Sequence, residues 1–288
     1  MKRYLTLLYV LLLVILSACN GKSSQKEENK RLIMVTMEPQ RYFTEAIAGD
    51  KFLVESMVPK GSSPETYDPT PQQLTRLSKS EAYLRIGHIG FEQSWMDRLT
   101  DNAPHMQIFD TSKGVELIHG EGHNHGDHFH AGGVDPHIWN SISNARIIAK
   151  NTFQALITLD KTNENYYLHR YDSLCKVINR TDSVINNIFQ TRKADHAFMI
   201  YHPALSYFAR DYGLHQICIE EEGKEPSPAH LRDLIEICKE EEVRIIFVQP
   251  EFDRRNAEII AKQTNTNIVD VNPLSYNWEK EMIHIANS

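Results

Sequence analysis

The chain has 288 residues, of which 31 are basic and 38 acidic, for a net charge of −7 with histidine neutral, and 41% are hydrophobic. That length and apolar content suit two folded units of ordinary size. The acidic balance argues against a nucleic-acid partner and for a cationic ligand, because a negative field concentrates positive species.

The first residues read as an export signal. Lys2 and Arg3 form a positive start, Tyr4 to Leu16 is an apolar core too short for a stable membrane anchor, and Leu16-Ser17-Ala18-Cys19 closes it. This closing motif resembles a bacterial lipobox. The resemblance implies cleavage of residues 1–18, a diacylglycerol on the thiol of Cys19, and a protein exported and held on a bacterial membrane, facing the periplasm or the cell surface. Cleavage removes Lys2 and Arg3 and no acid, taking 31 basic residues to 29 against 38 acidic, a net charge of −9. Residues 19–31, polar and with Gly21, Ser23 and Ser24, read as a flexible tether. No later apolar run reaches the length of a membrane span.

From residue 32 short apolar strands alternate with helical patterns. Leu32–Val35, Phe52–Met57, Ala82–Ile86 and Met106–Phe109 are the predicted strands, and Arg41–Ala48, Pro71–Ser80 and Phe91–Thr100 the predicted helices. Thr70, Pro71 and Gln73 supply the cap, first residue and capping box of the second helix. Residues 32–160 thus read as a parallel α/β lobe. It contains a tract over residues 119–133 in which His119, His123, His125, His128 and His130 alternate with glycines and acids. Such a tract predicts a solvated, poorly ordered loop, because glycine and polar side chains do not offset the entropy of fixing a backbone. Five imidazoles beside Glu121 and Asp127 point to an auxiliary site for transition-metal ions, zinc above all.

Between Glu164 and Gln190 there is no Gly or Pro, and Tyr167, Tyr171, Leu174, Ile178, Thr181, Ile185 and Ile188 recur at helical spacing. One long amphipathic helix follows, a rigid spine over residues 161–192, with a coiled-coil pair as the competing reading. Residues 193–288 repeat the first pattern. Strands are predicted at Ala197–Tyr201, Gln216–Ile219, Val243–Val248 and Asn267–Val271, and helices at Leu205–Tyr212, Ala229–Lys239 (capped by Ser227, with Pro228 first) and Arg254–Lys262. Cys175, Cys218 and Cys238 allow at most one disulfide, and no CxxC spacing suggests a cysteine zinc site.

Parallel sheets bind ligands at the carboxyl ends of their strands. Three residues near such ends stand out: Glu65 after the second strand, His202 directly after Ala197–Tyr201, and His137 in Asp135-Pro136-His137-Ile138-Trp139. Two imidazoles and a carboxylate from three loops suit zinc at about 2.0–2.2 Å from each donor atom.

The segment from Gly61 to Leu99, Asp135 to Trp139 preceded by the histidine tract, Tyr201 to Leu214 and Lys224 to Pro228 resemble the zinc- and manganese-binding proteins of bacterial metal ABC importers, the ZnuA/TroA-like family, over about residues 32–287. The resemblance implies two α/β lobes joined by a long rigid helix, with the metal in the cleft between them, and a cognate permease and ATPase as partners. It places His137 and His202 at family ligand positions and Glu65 where most members have a histidine. The family's fourth ligand is usually an aspartate before Pro-Leu. Asn272 occupies that place, so water beside Asn272 is the favoured fourth donor, with Asn272 itself or Asp270 as alternatives. A histidine at 202, where manganese-type members carry a carboxylate, favours Zn2+ over Mn2+.

The expected function is therefore capture of extracytoplasmic zinc by a monomer and its delivery to the importer. Rival readings are a manganese-specific binding protein, a zinc-storage or adhesin lipoprotein, and a zinc hydrolase, the last lacking an HExxH helix and an evident general base.

Overall fold

The computed structural model describes residues 30–119, 123–125, 128–130, 133–192, 196–221 and 223–288. The signal peptide, Cys19 and the tether up to residue 29 lie outside the described residues.

The N-terminal lobe runs β1 (Arg31–Val35), α1 (Glu38–Ala48), β2 (Phe52–Ser56), α2 (Pro71–Leu77), β3 (Ala82–Arg85), α3 (Gly90–Asn102) and β4 (Gln107–Asp110). Its four strands are parallel in the order β2-β1-β3-β4. The central strand β1 is buried on both faces after Arg31, as a covered parallel sheet requires. Ile33 and Val35 face one layer of helices while Leu32 and Met34 face the other, with α2 and α3. Thr70 caps α2 as its sequence predicts: its Oγ1 accepts from the Gln73 N–H at 3.3 Å, and Gln73 Oε1 accepts from the Thr70 N–H at 2.8 Å.

The histidine tract departs from expectation. Within it β5 (His123–His125) and β6 (His128–His130) form an antiparallel ladder that pairs His123 with His130 and His125 with His128. A bridge between His119 and Val134 closes its base. Backbone pairing is the physical reason: each strand offers the other its N–H and C=O groups. The side chains of His123, His125, His128 and His130 lie outside what the structure describes.

Next come α4 (Ile142–Leu159), a 3-10 turn at Lys161–Asn163 and α5 (Glu164–Thr191), the 28-residue helix expected from the periodicity. Tyr167, Leu174, Ile178, Thr181 and Ile185 of its stripe are buried, and Tyr171 and Ile188 pack partly buried beside them. The stripe is covered by the chain's own α1 and α4 and by the last helix, described below, which leaves no bare seam for a coiled-coil partner.

The C-terminal lobe repeats the first: β7 (Ala197–Ile200), α6 (Ser206–Tyr212), β8 (His215–Cys218), α7 (Pro228–Glu240), β9 (Ile245–Val248), α8 (Arg255–Thr264), β10 (Asn267–Asp270) and α9 (Trp278–Asn287). The parallel order β8-β7-β9-β10 is the same winding as in the first sheet. Ser227 caps α7 by accepting from the His230 N–H at 3.1 Å.

One apolar core joins the lobes. It contains Ile33, Val35 and Leu84 of the first sheet, Phe198, Ile200 and Phe247 of the second, and the inward faces of α1, α4, α5 and α9. The spine is thus embedded in a continuous core rather than strung between two separate ones. Cys175, Cys218 and Cys238 are free thiols. Among the described residues no helix is long and apolar enough to cross a membrane.

Candidate metal centre

Glu65, His137 and His202 meet where the two sheets present their strand ends to each other. A donor atom from each lies within 4.8 Å of the other two.

Glu65 sits in the loop between β2 and α2. Its Oε2 accepts from the Gly90 N–H at 3.1 Å, the first residue of the 13-residue α3. A helix N-terminus stabilises a carboxylate, which fixes this one in place. Gly90 has to lack a side chain: a Cβ there would stand 2.5 Å from the Glu65 carbonyl oxygen and 2.8 Å from Oε2. Glu65 Oε1 is buried with no hydrogen-bond partner.

His137 is held by Asp135, whose Oδ1 accepts from the His137 N–H at 2.9 Å and lies 2.9 Å from Nδ1. Burial on its own would raise the Asp135 pKa, but the hydrogen bonds from His137, the charge of its ring and a bond from Ser206 hold it below the ordinary aspartate value. The loop is pinned beneath the cleft. Trp139 Nε1–H donates to Pro273 O, and Trp278 Nε1–H donates to Trp139 O, both at 2.8 Å.

His202 follows β7, and its Nδ1 lies 2.8 Å from Glu220 Oε1. Gln249 clamps its backbone, accepting from the His202 N–H at 3.3 Å and donating to His202 O at 2.7 Å. Phe252 stacks on the imidazole at 5.2 Å between centroids.

Each ring therefore points Nδ1 at a carboxylate. Ionised carboxylates only accept, so in each neutral imidazole Nδ1 carries the proton and Nε2 presents a lone pair. Those two Nε2 atoms face each other at 3.1 Å. With both rings neutral, two lone pairs at that distance repel unless a positive charge lies between them. Nitrogens bound at about 2.0–2.1 Å to one tetrahedral ion stand about 3.3–3.4 Å apart, close to the observed spacing. The cavity they line holds about 30 Å³, with Glu65, His137 and His202 on its walls.

The zinc-uptake complex component A family, periplasmic, matches residues 33–285. The chain belongs to this family. It is 30% identical over 273 residues to the metal ABC transporter substrate-binding lipoprotein FimA of Streptococcus parasanguinis, covering 91% of this chain and 85% of that protein. It is also 30% identical over 271 residues to the manganese ABC transporter substrate-binding lipoprotein PsaA of Streptococcus pneumoniae, covering 91% and 86%. A crystal structure of ZnuA superposes with a TM-score of 0.82 at 33% identity over 90% of this chain and 97% of that one. A zinc-bound ZnuA deletion mutant gives the same TM-score and identity over 90% and 96%. The family is one of metal-transport substrate-binding proteins and not of enzymes, which removes the hydrolase alternative.

For the fourth position the sequence reading favoured water beside Asn272, with Asn272 itself or Asp270 as alternatives. Asn272 Oδ1 accepts from the Leu274 N–H at 3.1 Å, closing a turn, and its own N–H donates to Glu281 Oε1 at 2.7 Å. Both bonds hold Asn272 in the loop, and it does not line the small cavity. Asp270 is further away in kind: its side chain is 75% exposed and paired with Arg254 at 3.4 Å. Sequence reasoning also passed over Asp135 and Glu220, which orient the imidazoles, and Glu251, which lines the cavity with them. Burial raises the Glu251 pKa, opposed by its own backbone hydrogen bond and by the charge of His202. The available signal was position: Glu220 and Glu251 follow the ends of β8 and β9, as His202 follows β7.

Proposed function

We propose that this metal-importer binding protein takes Zn2+ as its cargo, held by Glu65, His137 and His202, and hands it to a cognate permease and ATPase. The observation that supports this most directly is the pair of Nε2 lone pairs 3.1 Å apart beside the unpartnered Oε1 of Glu65. Three donors converge there, and the buried Glu65 oxygen lacks a partner that a dication would supply. Imidazole nitrogen suits zinc, and the Irving–Williams order places zinc well above manganese for such a donor set. Relatives are named for manganese as well as for zinc, so metal choice is the point to test.

Function here requires no covalent chemistry. The lobes supply the ligands, α5 and the shared core limit their relative motion, and release requires that the importer weaken a site built from both lobes. The reading also includes cleavage of residues 1–18, a lipid on Cys19 and a tether over residues 19–31, which keep the body outside the cytoplasmic membrane and beside its permease. The histidine tract takes up further ions near the cleft.

The deciding experiment is metal analysis of protein purified without added metal, followed by competition titrations of Zn2+ and Mn2+ against a chromophoric chelator. Tighter zinc binding by several orders of magnitude is expected. Equal affinities, or preferential recovery of manganese, would replace zinc as cargo. Binding should weaken with acid, because the imidazoles bind only when neutral.

A further inference from the structure

The cavity contains one carboxylate more than the three-residue group accounts for. Glu251 follows β9 and lies between two residues that grip His202, with Gln249 hydrogen-bonded to both sides of its peptide and Phe252 stacked on its ring. Its backbone is therefore held in register with a metal-facing histidine. Glu251 lines both the 30 Å³ cavity and the vestibule of about 890 Å³ that leads to it. Its Oε1 is shut off from solvent and has no hydrogen-bond partner. A dry, unpaired carboxylate oxygen is unfavourable, and in this one cavity there are two, on Glu65 and on Glu251.

Resting on the reading that the cargo binds at Glu65, His137 and His202, we propose that Glu251 is the fourth ligand of the ion, in the role the family gives to an aspartate at the place of Asn272. Glu251 stands outside the group of donor atoms within 4.8 Å, so rotation about its side-chain torsions brings the carboxylate in as the ion enters. Asn272 does not line the cavity and so does not compete for that position. Two glutamates with two neutral imidazoles balance the charge of a dication, and the donor set becomes two nitrogens and two oxygens. Such a set still ranks zinc over manganese, by a smaller margin than three histidines would.

The test measures zinc affinity by chelator competition for the full chain and for E251Q, N272A and H202A, with visible spectra of each protein loaded with Co2+. Metal-free melting curves first establish that each variant is folded. E251Q should bind zinc at least about tenfold more weakly, with cobalt bands shifted in position or intensity as water replaces a carboxylate. N272A should match the wild type, and H202A should be the weakest. An E251Q protein with wild-type affinity and spectrum beside a damaged H202A overturns the role of Glu251 and leaves the three-ligand site standing. Weaker binding with an unaltered cobalt spectrum also overturns it, because Glu251 would then act through its charge alone. Unchanged affinity in H202A defeats the site itself.

Discussion

The two lobes share one winding, and each has a gap at the centre of its sheet where the chain changes direction, between β1 and β3 and between β7 and β9. They fill that gap differently. In the N-terminal lobe the buried Glu92 occupies it: Oε1 accepts from the Ile86 N–H at 2.8 Å and from Thr36 Oγ1, and Oε2 accepts from the Gly87 N–H at 2.7 Å. In the C-terminal lobe the neutral Gln249 ties the strand ends together, and the charged residue is moved two places on, to Glu251, where one oxygen stays idle. The same slot is therefore a plug in one lobe and part of a binding wall in the other. A carboxylate at a strand end is structural when its lone pairs are used and is free to bind when they are not.

The largest effect should come from breaking the binding side. His202→Ala removes a donor supplied by the second lobe and with it the bridge across the cleft, so zinc affinity should fall by more than the about 100-fold typical of losing a ligand's hydrogen-bond partner. Chelator competition measures this directly. Asp135→Asn and Glu220→Gln come next. Each leaves its imidazole in place but loosens the tautomer and orientation, at a cost of about 10–100-fold in affinity. Wild-type binding in both variants would show that the carboxylates at 2.9 and 2.8 Å do not set the ring nitrogens.

Breaking the plug should do the reverse. Glu92→Ala strands the Ile86 and Gly87 N–H groups and the Thr36 hydroxyl, which should cost at least about 2 kcal/mol of stability, read in thermal melts of the metal-free protein. Zinc affinity of the protein that remains folded should change little. The pH dependence has a definite sign. Burial outweighs the hydrogen bonds from Thr36, Ile86 and Gly87 and raises the Glu92 pKa, so the folded state keeps this proton at a pH where the unfolded chain has lost it. The Glu92 contribution is fully present below the ordinary glutamate value of about 4.3 and is lost as pH rises through the raised one. The stability gap between wild type and Glu92→Ala should therefore be widest in acid and narrow toward neutrality. A gap that widens with rising pH would reverse the assignment.

Much of this architecture was legible because its signals are local. The caps at Thr70 and Ser227 involve residues three apart, and the stripe of α5 repeats within a single helix. Two helices were not read. In α4 the buried positions Ile142, Asn144, Ala145, Ile148, Ala149, Thr152, Phe153, Ala155 and Leu156 fill one half of the helix, but they include the polar Asn144 and Thr152, and Ile147 and Ile157 stand on the other half, which blurs the apolar stripe. For α9 the spacing of Trp278, Met282 and Ile285 was present and went unused. The donors of the centre stood out because histidine and glutamate at strand ends are informative by type. The fourth position did not, since a sequence does not show that Asn272 spends its oxygen on Leu274 or that Glu251 keeps an oxygen dry.

The smallest effect on the tight site should come from the histidine tract. His119 pairs with Val134 at the base of the β5–β6 ladder, next to His137's partner Asp135. Asp135 is itself anchored from the body of the protein: its carbonyl accepts from the Tyr207 hydroxyl at 2.8 Å, and its N–H donates to Ile118 O at 2.9 Å. These anchors use backbone atoms and Tyr207, none of them a tract histidine. Replacing His119, His123, His125, His128 and His130 with serine should thus keep the ladder's backbone pairing and the Asp135–His137 contact, lower the number of zinc ions bound per chain, and leave one site at wild-type affinity. Equilibrium dialysis with metal analysis counts the ions, and chelator competition reports the tight one. If the tight site disappears along with the tract histidines, the primary ligands lie in the tract, and the convergence of Glu65, His137 and His202 has been given the wrong cargo.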